Sequence, residues 1–124
     1  MSRTVLIVED TDVCRDALEL ALMQVTGVTI QSVATAEEAL DCIANSPICA
    51  MLTDLDLPHM DGFELIEAVR SQPDSARLPI LVISGDSDPH TPARVAGLGA
   101  NAYFSKPYSP AEVRQKLEQL IDGV

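Results

Sequence analysis

The sequence predicts an α/β protein in which five parallel strands form one doubly wound sheet with helices on both faces. Two observations carry this. Short apolar runs alternate five times with helical patterns along the whole chain, and strand–helix–strand units in one sheet are parallel with right-handed crossovers. Most of the runs are continuously apolar rather than alternating, which is how strands buried on both faces read.

The first strand is Val5–Val8. A helical stripe of Ala17, Leu18, Ala21, Leu22 and Val25 follows within residues 13–25, and Gly27 is its expected C-terminal stop. Val28–Val33 alternates, so it is the second strand and an edge strand. Thr35, with Glu38 three residues on, is a capping box that opens a second helix to about Ala44, and Asn45-Ser46-Pro47 breaks it. Cys49–Thr53 is the third strand, Leu55–Asp61 a loop, and the third helix runs from Gly62 to about Ser71. After a polar stretch containing Pro73, Ile80–Ile83 is the fourth strand. Residues 85–92 are the most irregular segment; Thr91 can cap a short fourth helix with Pro92 at its first position, ending near Gly97-Leu98-Gly99. Asn101–Ser105 is the fifth strand. Ser109-Pro110-Ala111-Glu112 is a second capping box, and the last helix reaches about Ile121.

The 124 residues read as one domain, 1–124, with no linker or repeat. Aromatic residues make up only 3%, so aliphatic side chains must build the core. A net charge of −11 argues against direct nucleic-acid binding, which needs a basic footprint. Cys14, Cys42 and Cys49 lack metal-ligand spacing and are expected as reduced thiols that pack in the core, Cys49 in a strand and the other two on helices. No stretch is long enough to span a membrane, and the first residues run straight into a strand without a signal peptide, so a cytoplasmic location is expected.

The informative residues stand where strands end. Glu9-Asp10 follows the first strand, Asp54 the third, Ser84 the fourth and Lys106 the fifth. In a parallel sheet these ends share one edge, where open α/β sheets build their sites. Three carboxylates, a hydroxyl and an ammonium on one edge suit a divalent metal and a phosphoryl group. Each residue alone has a plainer reading: a turn or cap for Asp54 and Ser84, a helix lead-in for Glu9-Asp10, a solvated lysine for Lys106. His59 and His90 read as solvated loop histidines.

An ordered set of motifs resembles the receiver (CheY-like) domains of two-component response regulators over essentially the whole chain. The set comprises Val8-Glu9-Asp10, the segment Asp54-Leu55-Asp56-Leu57-Pro58-His59-Met60-Asp61-Gly62 (D-x-x-x-P-x-M-D-G), Ser84-Gly85, Gly99-Ala100-Asn101-Ala102-Tyr103 and Lys106-Pro107. The resemblance implies the flavodoxin-like strand order 2-1-3-4-5, which the general rules for such sheets also attribute to this family. It implies that Asp54 is a phosphoacceptor, taking a phosphoryl group from a histidine kinase or histidine phosphotransfer protein. Mg2+ or Mn2+ would be held by Asp10, Asp54 and the Asp56 backbone carbonyl, with Glu9 acting mostly through water. Lys106, usually followed by a cis Lys-Pro bond, would pair with the phosphoryl oxygens, and Ser84 would donate to them. Ser84 and Tyr103 would form the switch, and Asp56 and Asp86 would tune phosphorylation and dephosphorylation rates. Such a domain is not a conventional enzyme, but it catalyses its own phosphorylation and dephosphorylation. Its surface of fourth helix, fifth strand and fifth helix would signal to an output domain or partner and could form a homodimer, while the first helix and the loops near Asp54 would dock the donor.

Three other readings remain. A haloacid dehalogenase-type phosphohydrolase fits Asp54-Leu55-Asp56 literally, but expects its D-x-D after the first strand of a longer chain. A flavodoxin-like FMN carrier needs a phosphate loop where Glu9-Asp10 stands, and would be coloured. A degenerate receiver acting only as a binding module is opposed by the complete set Glu9, Asp10, Asp54, Ser84 and Lys106. Both tuning positions being acidic, Asp56→Asn is expected to change the lifetime of the acyl phosphate; equal decay rates for the two proteins would refute that role.

Overall fold

The computed structural model describes residues 3–123; Met1 and Ser2, read as the lead-in to the first strand, lie outside the described residues. Strands β1 (Arg3–Val8), β2 (Val28–Val33), β3 (Ala50–Thr53), β4 (Ile80–Ser84) and β5 (Ala102–Ser105) form one sheet in the order β2-β1-β3-β4-β5. Every neighbouring pair is parallel. The connecting helices are α1 (Asp12–Leu22), α2 (Ala36–Asn45), α3 (Gly62–Ser71), α4 (Thr91–Leu98) and α5 (Pro110–Asp122). The expected fold class and strand order are both observed.

Alternation along the strands divides the core between two faces. Leu6, Val8, Met51, Ile80 and Val82 pack with Leu65, Ile66 and Val69 of α3 and Val95 of α4. Val5, Ile7, Leu52, Leu81 and Ile83 pack on the other face with Leu18 and Leu22 of α1 and Val113 and Leu117 of α5. The central strands β1, β3 and β4 are therefore buried at every position but the first two of β1, whereas edge strand β2 alternates between half-buried and exposed residues over most of its length.

Several boundaries depart from the sequence reading. Helix α1 ends at Leu22, and Val25 is buried from the following turn. Gly27 is not the helix stop; it adopts φ +76° in that turn and its carbonyl accepts from Arg3 N–H at 3.1 Å. Periodicity could not see this end, because a turn can place Val25 on the same core as Leu22. Ala17 of the expected stripe is exposed. Cys49 lies just before β3 rather than in it, its N–H donating to Thr4 O at 2.8 Å. The three cysteines are free and only half-buried: Cys42 and Cys49 pack against the two cores, and Cys14 lines a surface groove. Asn101 precedes β5, where its side-chain oxygen accepts from Ile80 N–H at 2.8 Å. Thr91 is the first residue of α4, not its cap; His90 holds the cap position without a side-chain bond. A short 3-10 turn at Pro73–Ser75 was not foreseen.

The caps at Thr35 and Ser109 accept from Glu38 and Glu112 N–H at 3.1 and 3.3 Å. The full reciprocal box is at α3: Asp61 Oδ1 accepts from Glu64 N–H at 2.9 Å and Glu64 Oε1 from Asp61 N–H at 3.2 Å. It fixes the start of α3 against the end of β3. Gly62 is required there, because a Cβ would lie 2.3 Å from Asp54 O and 2.6 Å from Leu55 Cα. Both obstacles are backbone, so Gly62→Ala should cost about 3 kcal/mol, the upper end of the range for overpacking. A lowered urea midpoint at unchanged m-value is the expected result.

Candidate functional site

Strand register assembles the site. Val8 pairs with Thr53, Thr53 with Val82, and Ser84 with Ser105. The ladder continues one step beyond: Asp54 N–H donates to Val8 O at 3.1 Å and Lys106 N–H to Ser84 O at 2.8 Å. Glu9, Asp54, Ser84 and Lys106 therefore leave their strands at one edge. An open pocket of about 650 Å³ lies there, bordered by Asp10, Asp54, Asp56, Ser84, Asp86 and Lys106.

Its floor is a charge bridge. Lys106 Nζ donates to Asp54 Oδ2 and to Glu9 Oε1, both at 2.8 Å. Asp54 is nearly buried, and its Oδ1 accepts from the N–H groups of Leu55 at 2.6 Å and Asp56 at 3.2 Å. Those amide dipoles favour the ionised carboxylate and fix its direction. Glu9 is fully buried, and its second oxygen, Oε2, has no hydrogen-bond partner among the described residues. Burial pushes the Glu9 pKa up, and Lys106 pulls it only part of the way back. Burial alone would lower the Lys106 pKa, but the hydrogen bonds and charges of Asp54 and Glu9 outweigh it and hold the ammonium above its ordinary range.

Ser84 is buried, and its Oγ accepts from Asp86 N–H at 3.0 Å. Asp10 and Asp56 are exposed on the pocket wall. Tyr103 is half-buried, its hydroxyl donating to Asp86 O at 3.4 Å. The Asp86 carboxylate is taken up within its own loop and α4: Oδ1 accepts from Asp88 N–H at 2.9 Å and Oδ2 from Thr91 Oγ1–H at 2.8 Å. Those two bonds hold its pKa below the usual value. The Lys106–Pro107 peptide is cis. His59 and His90 are exposed, as read.

Among the described residues no three Asp, Glu, His or Cys side chains form a ready-made metal cage. Magnesium does not need one, since it keeps several waters and takes one or two carboxylates. Asp10, Asp54 and Asp56 supply hard oxygen donors around one pocket, and Glu9, joined to it through Lys106, keeps one oxygen without a hydrogen-bond partner among the described residues. This donor set fits such an ion.

Sequence reasoning missed Phe63 and Arg94. Phe63 lines the pocket, and the Arg94 guanidinium lies 3.7 Å from its ring centroid, joining α4 to α3. No spacing rule links residues on two helices. The Asp61–Glu64 box was legible as D-x-x-E.

The profile of the family described as response regulator receiver domain matches residues 5–118. The chain belongs to this family. A gliding motility regulatory protein of Myxococcus xanthus is 35% identical over 95% of this chain, although the chain spans only 15% of that relative. A probable chemotaxis protein CheY of Rhizobium etli is 29% identical, with 97% and 93% of the two chains covered. The chain spans about half of another relative, the transcriptional regulatory protein GltR of Pseudomonas aeruginosa (49% of its length, 31% identity over 96% of this chain). Among solved structures, a response regulator from Chloroflexus aurantiacus superposes with a TM-score of 0.89 at 33% identity, covering 98% of this chain and 99% of that one. The receiver domain of a sensor histidine kinase from Pseudomonas aeruginosa, with a magnesium ion coordinated in its active-site cleft, gives a TM-score of 0.87 at 26% identity, with 98% and 99% covered.

The charge bridge of this receiver domain sets a pH dependence. In metal-free buffer Lys106→Met should destabilise by about 3 kcal/mol, the lower end for removing one partner of a buried pair, because the ammonium is partly exposed. The loss removes the main influence that lowers the Glu9 pKa and leaves burial and Asp54 opposed only by the Thr11 amide, so the pKa rises further. A group whose folded pKa is raised contributes stability below its unfolded value and loses it as pH rises through the folded value. The deficit of the variant should therefore be larger at about pH 8 than at about pH 5. Urea unfolding at both values checks this, and an equal or smaller deficit at the higher pH would contradict it.

Proposed function

We propose that this receiver domain accepts a phosphoryl group on Asp54 from a phosphohistidine donor. The observation that carries the reading is the Lys106 bridge: one ammonium lies 2.8 Å from Asp54 Oδ2 at the base of an open pocket, and Ser84 borders the same pocket. An Asp54 oxygen forms the new P–O bond as the P–N bond of the donor breaks, and the imidazole leaves with the bonding pair and takes up a proton. Asp54 Oδ1 is already oriented by two amides, so the carboxylate needs little reorganisation. Lys106, now partner to Asp54, would turn to the phosphoryl oxygens as a compact point charge. The Ser84 hydroxyl accepts from Asp86 N–H and keeps its own proton to donate.

Asp10, Asp54 and the Asp56 carbonyl would hold Mg2+ or Mn2+, with Glu9 acting through water. When bound, the ion would neutralise the crowded carboxylates and polarise the phosphoryl oxygens. The Pseudomonas aeruginosa neighbour with magnesium in its cleft supports this assignment. Hydrolysis of the acyl phosphate would return Asp54 to its carboxylate, with Asp56, exposed on the pocket wall, placed to influence the attacking water.

The donor, a histidine kinase or phosphotransfer protein, would dock beside the pocket. An apolar groove of about 600 Å³ between α1 and α5 reaches Lys106 and Pro107, and Val13, Leu20 and Met23 of this region are exposed. Tyr103 and the α4-β5-α5 face would carry the change to an output domain or partner, or to a second copy. A cytoplasmic location suits such partners, and no described helix is long and apolar enough to cross a membrane.

Intact-mass measurement after incubation with acetyl phosphate tests the reading. A single phosphoryl adduct that requires magnesium and disappears in Asp54→Asn is expected. No adduct from either acetyl phosphate or a phosphohistidine donor would leave a receiver that serves only as a binding module.

A further inference from the structure

Helix α4 is the shortest of the five, and it buries only Thr91 and Val95. A helix so lightly anchored is held in place by whatever its ends grip. Its C-cap is tied to α3, where Arg70 Nε and Nη2 donate to Gly99 O at 3.1 and 2.8 Å, and two further contacts, on its N-terminal half, lead to the wall of the acidic pocket. Arg94 stacks on Phe63, and the Thr91 hydroxyl donates to Asp86 Oδ2 at 2.8 Å. Phe63 and Asp86 both line the pocket.

Residue 86 is a junction. Its N–H donates to Ser84 Oγ at 3.0 Å, its carbonyl accepts from Tyr103 OH at 3.4 Å, and its two carboxylate oxygens accept from Asp88 N–H and Thr91 Oγ1–H. These bonds reach β4, β5 and α4. A plain turn aspartate would need only the bond to Asp88 N–H, two residues on. The bond to Thr91 is additional, and it comes from a side chain that is only 3% exposed. A nearly buried hydroxyl spends its proton there rather than on water.

We propose that Asp86 is a positioning residue that latches the first turn of α4 to the pocket through Thr91, so that a change in the Ser84 hydroxyl moves α4. The proposal rests on the reading of Asp54 as phosphoacceptor for its trigger, but not for the latch itself. When Ser84 Oγ turns toward a phosphoryl oxygen, the Asp86 N–H loses its acceptor. The residue shifts, and its carboxylate carries Thr91 and the helix start with it. Asp86 thereby acts on rates and output through position, since its carboxylate is engaged with Asp88 and Thr91 rather than free to meet the phosphoryl group.

Thr91→Val removes the hydroxyl with little change of shape, and Thr91→Ser restores it. Hydrogen exchange of α4 amides is read for wild type and both variants, without donor and with acetyl phosphate and magnesium chloride, while intact mass follows the adduct. Without donor, Thr91→Val should exchange about tenfold faster in α4, the scale of one hydrogen bond to a charged group, and Thr91→Ser should match wild type. With donor, the adduct should form on all three proteins. The change in α4 exchange on phosphorylation should then fall by more than half in Thr91→Val alone. Wild-type exchange in unmodified Thr91→Val, or a serine variant as loose as the valine one, overturns the latch. A full phosphorylation response in Thr91→Val overturns the coupling. Failure of wild type to gain a phosphoryl group refutes the phosphoacceptor reading and with it the trigger, while the donor-free arm still decides the latch.

Discussion

One ammonium holds the site together. Lys106 leaves β5, yet its partners Glu9 and Asp54 leave β1 and β3. Neighbouring strands lie about 4.8 Å apart, and β4 stands between β5 and β3. The lysine stem must therefore cross the end of β4. The stem passes close to Gly85, where a Cβ would meet Lys106 Cδ at 3.9 Å, an ordinary van der Waals contact. A long, unbranched side chain is what lets a cation from the edge of the sheet reach its centre. The partners are 97 and 52 residues away in sequence, so the bridge exists only when all the intervening crossovers have formed.

The bridge leaves the electrostatics unfinished. One positive charge faces Glu9 and Asp54, and Asp10, Asp56 and Asp86 stand around the same pocket. Glu9 Oε2 is buried and meets no hydrogen-bond partner of good geometry among the described residues. An apolar or fully paired site would be more stable, because a buried acceptor left unsatisfied costs about 1–3 kcal/mol. A site that recruits a divalent cation and a phosphoryl group, as proposed for this one, has the opposite requirement. It needs carboxylates that lack partners until those ligands arrive, and a lysine whose bonds can be exchanged for bonds to phosphoryl oxygens.

The sequence made the frame legible because the frame follows from local patterns. Continuous apolar runs such as Ile80–Ile83 mark strands buried on both faces, and parallel order then places Asp54, Ser84 and Lys106 on one edge before any contact is known. What it concealed depends on contacts between segments. That Lys106 pairs with Glu9, not only with Asp54, is a matter of which side chain bends where. The end of α1 was hidden because Val25 is buried from a turn as it would be from a helix. Thr91 reads as a cap by its type and position, but its hydroxyl answers to Asp86 five residues earlier, a partner no capping rule names. Nothing in the sequence singles out Arg94, whose guanidinium meets Phe63 of another helix.

The same division explains where this fold can move. The strands are tied by ladders along their whole length and buried on both faces at the centre, so chemistry at their ends cannot be transmitted by shifting them. The loop after β4 is exposed from Gly85 to His90, and its order comes from a few side-chain-to-backbone bonds centred on Asp86 and Asp88. Such bonds contribute about 1 kcal/mol each and can be exchanged singly. On the proposed reading, a phosphoryl group at Asp54 would compete for the hydroxyl of Ser84, which belongs to the rigid strand and also to the soft loop. The strand would stay, and the loop would yield. Because the loop ends in α4, which buries a single apolar side chain, the proposed response would be directed to that helix rather than dispersed through the core.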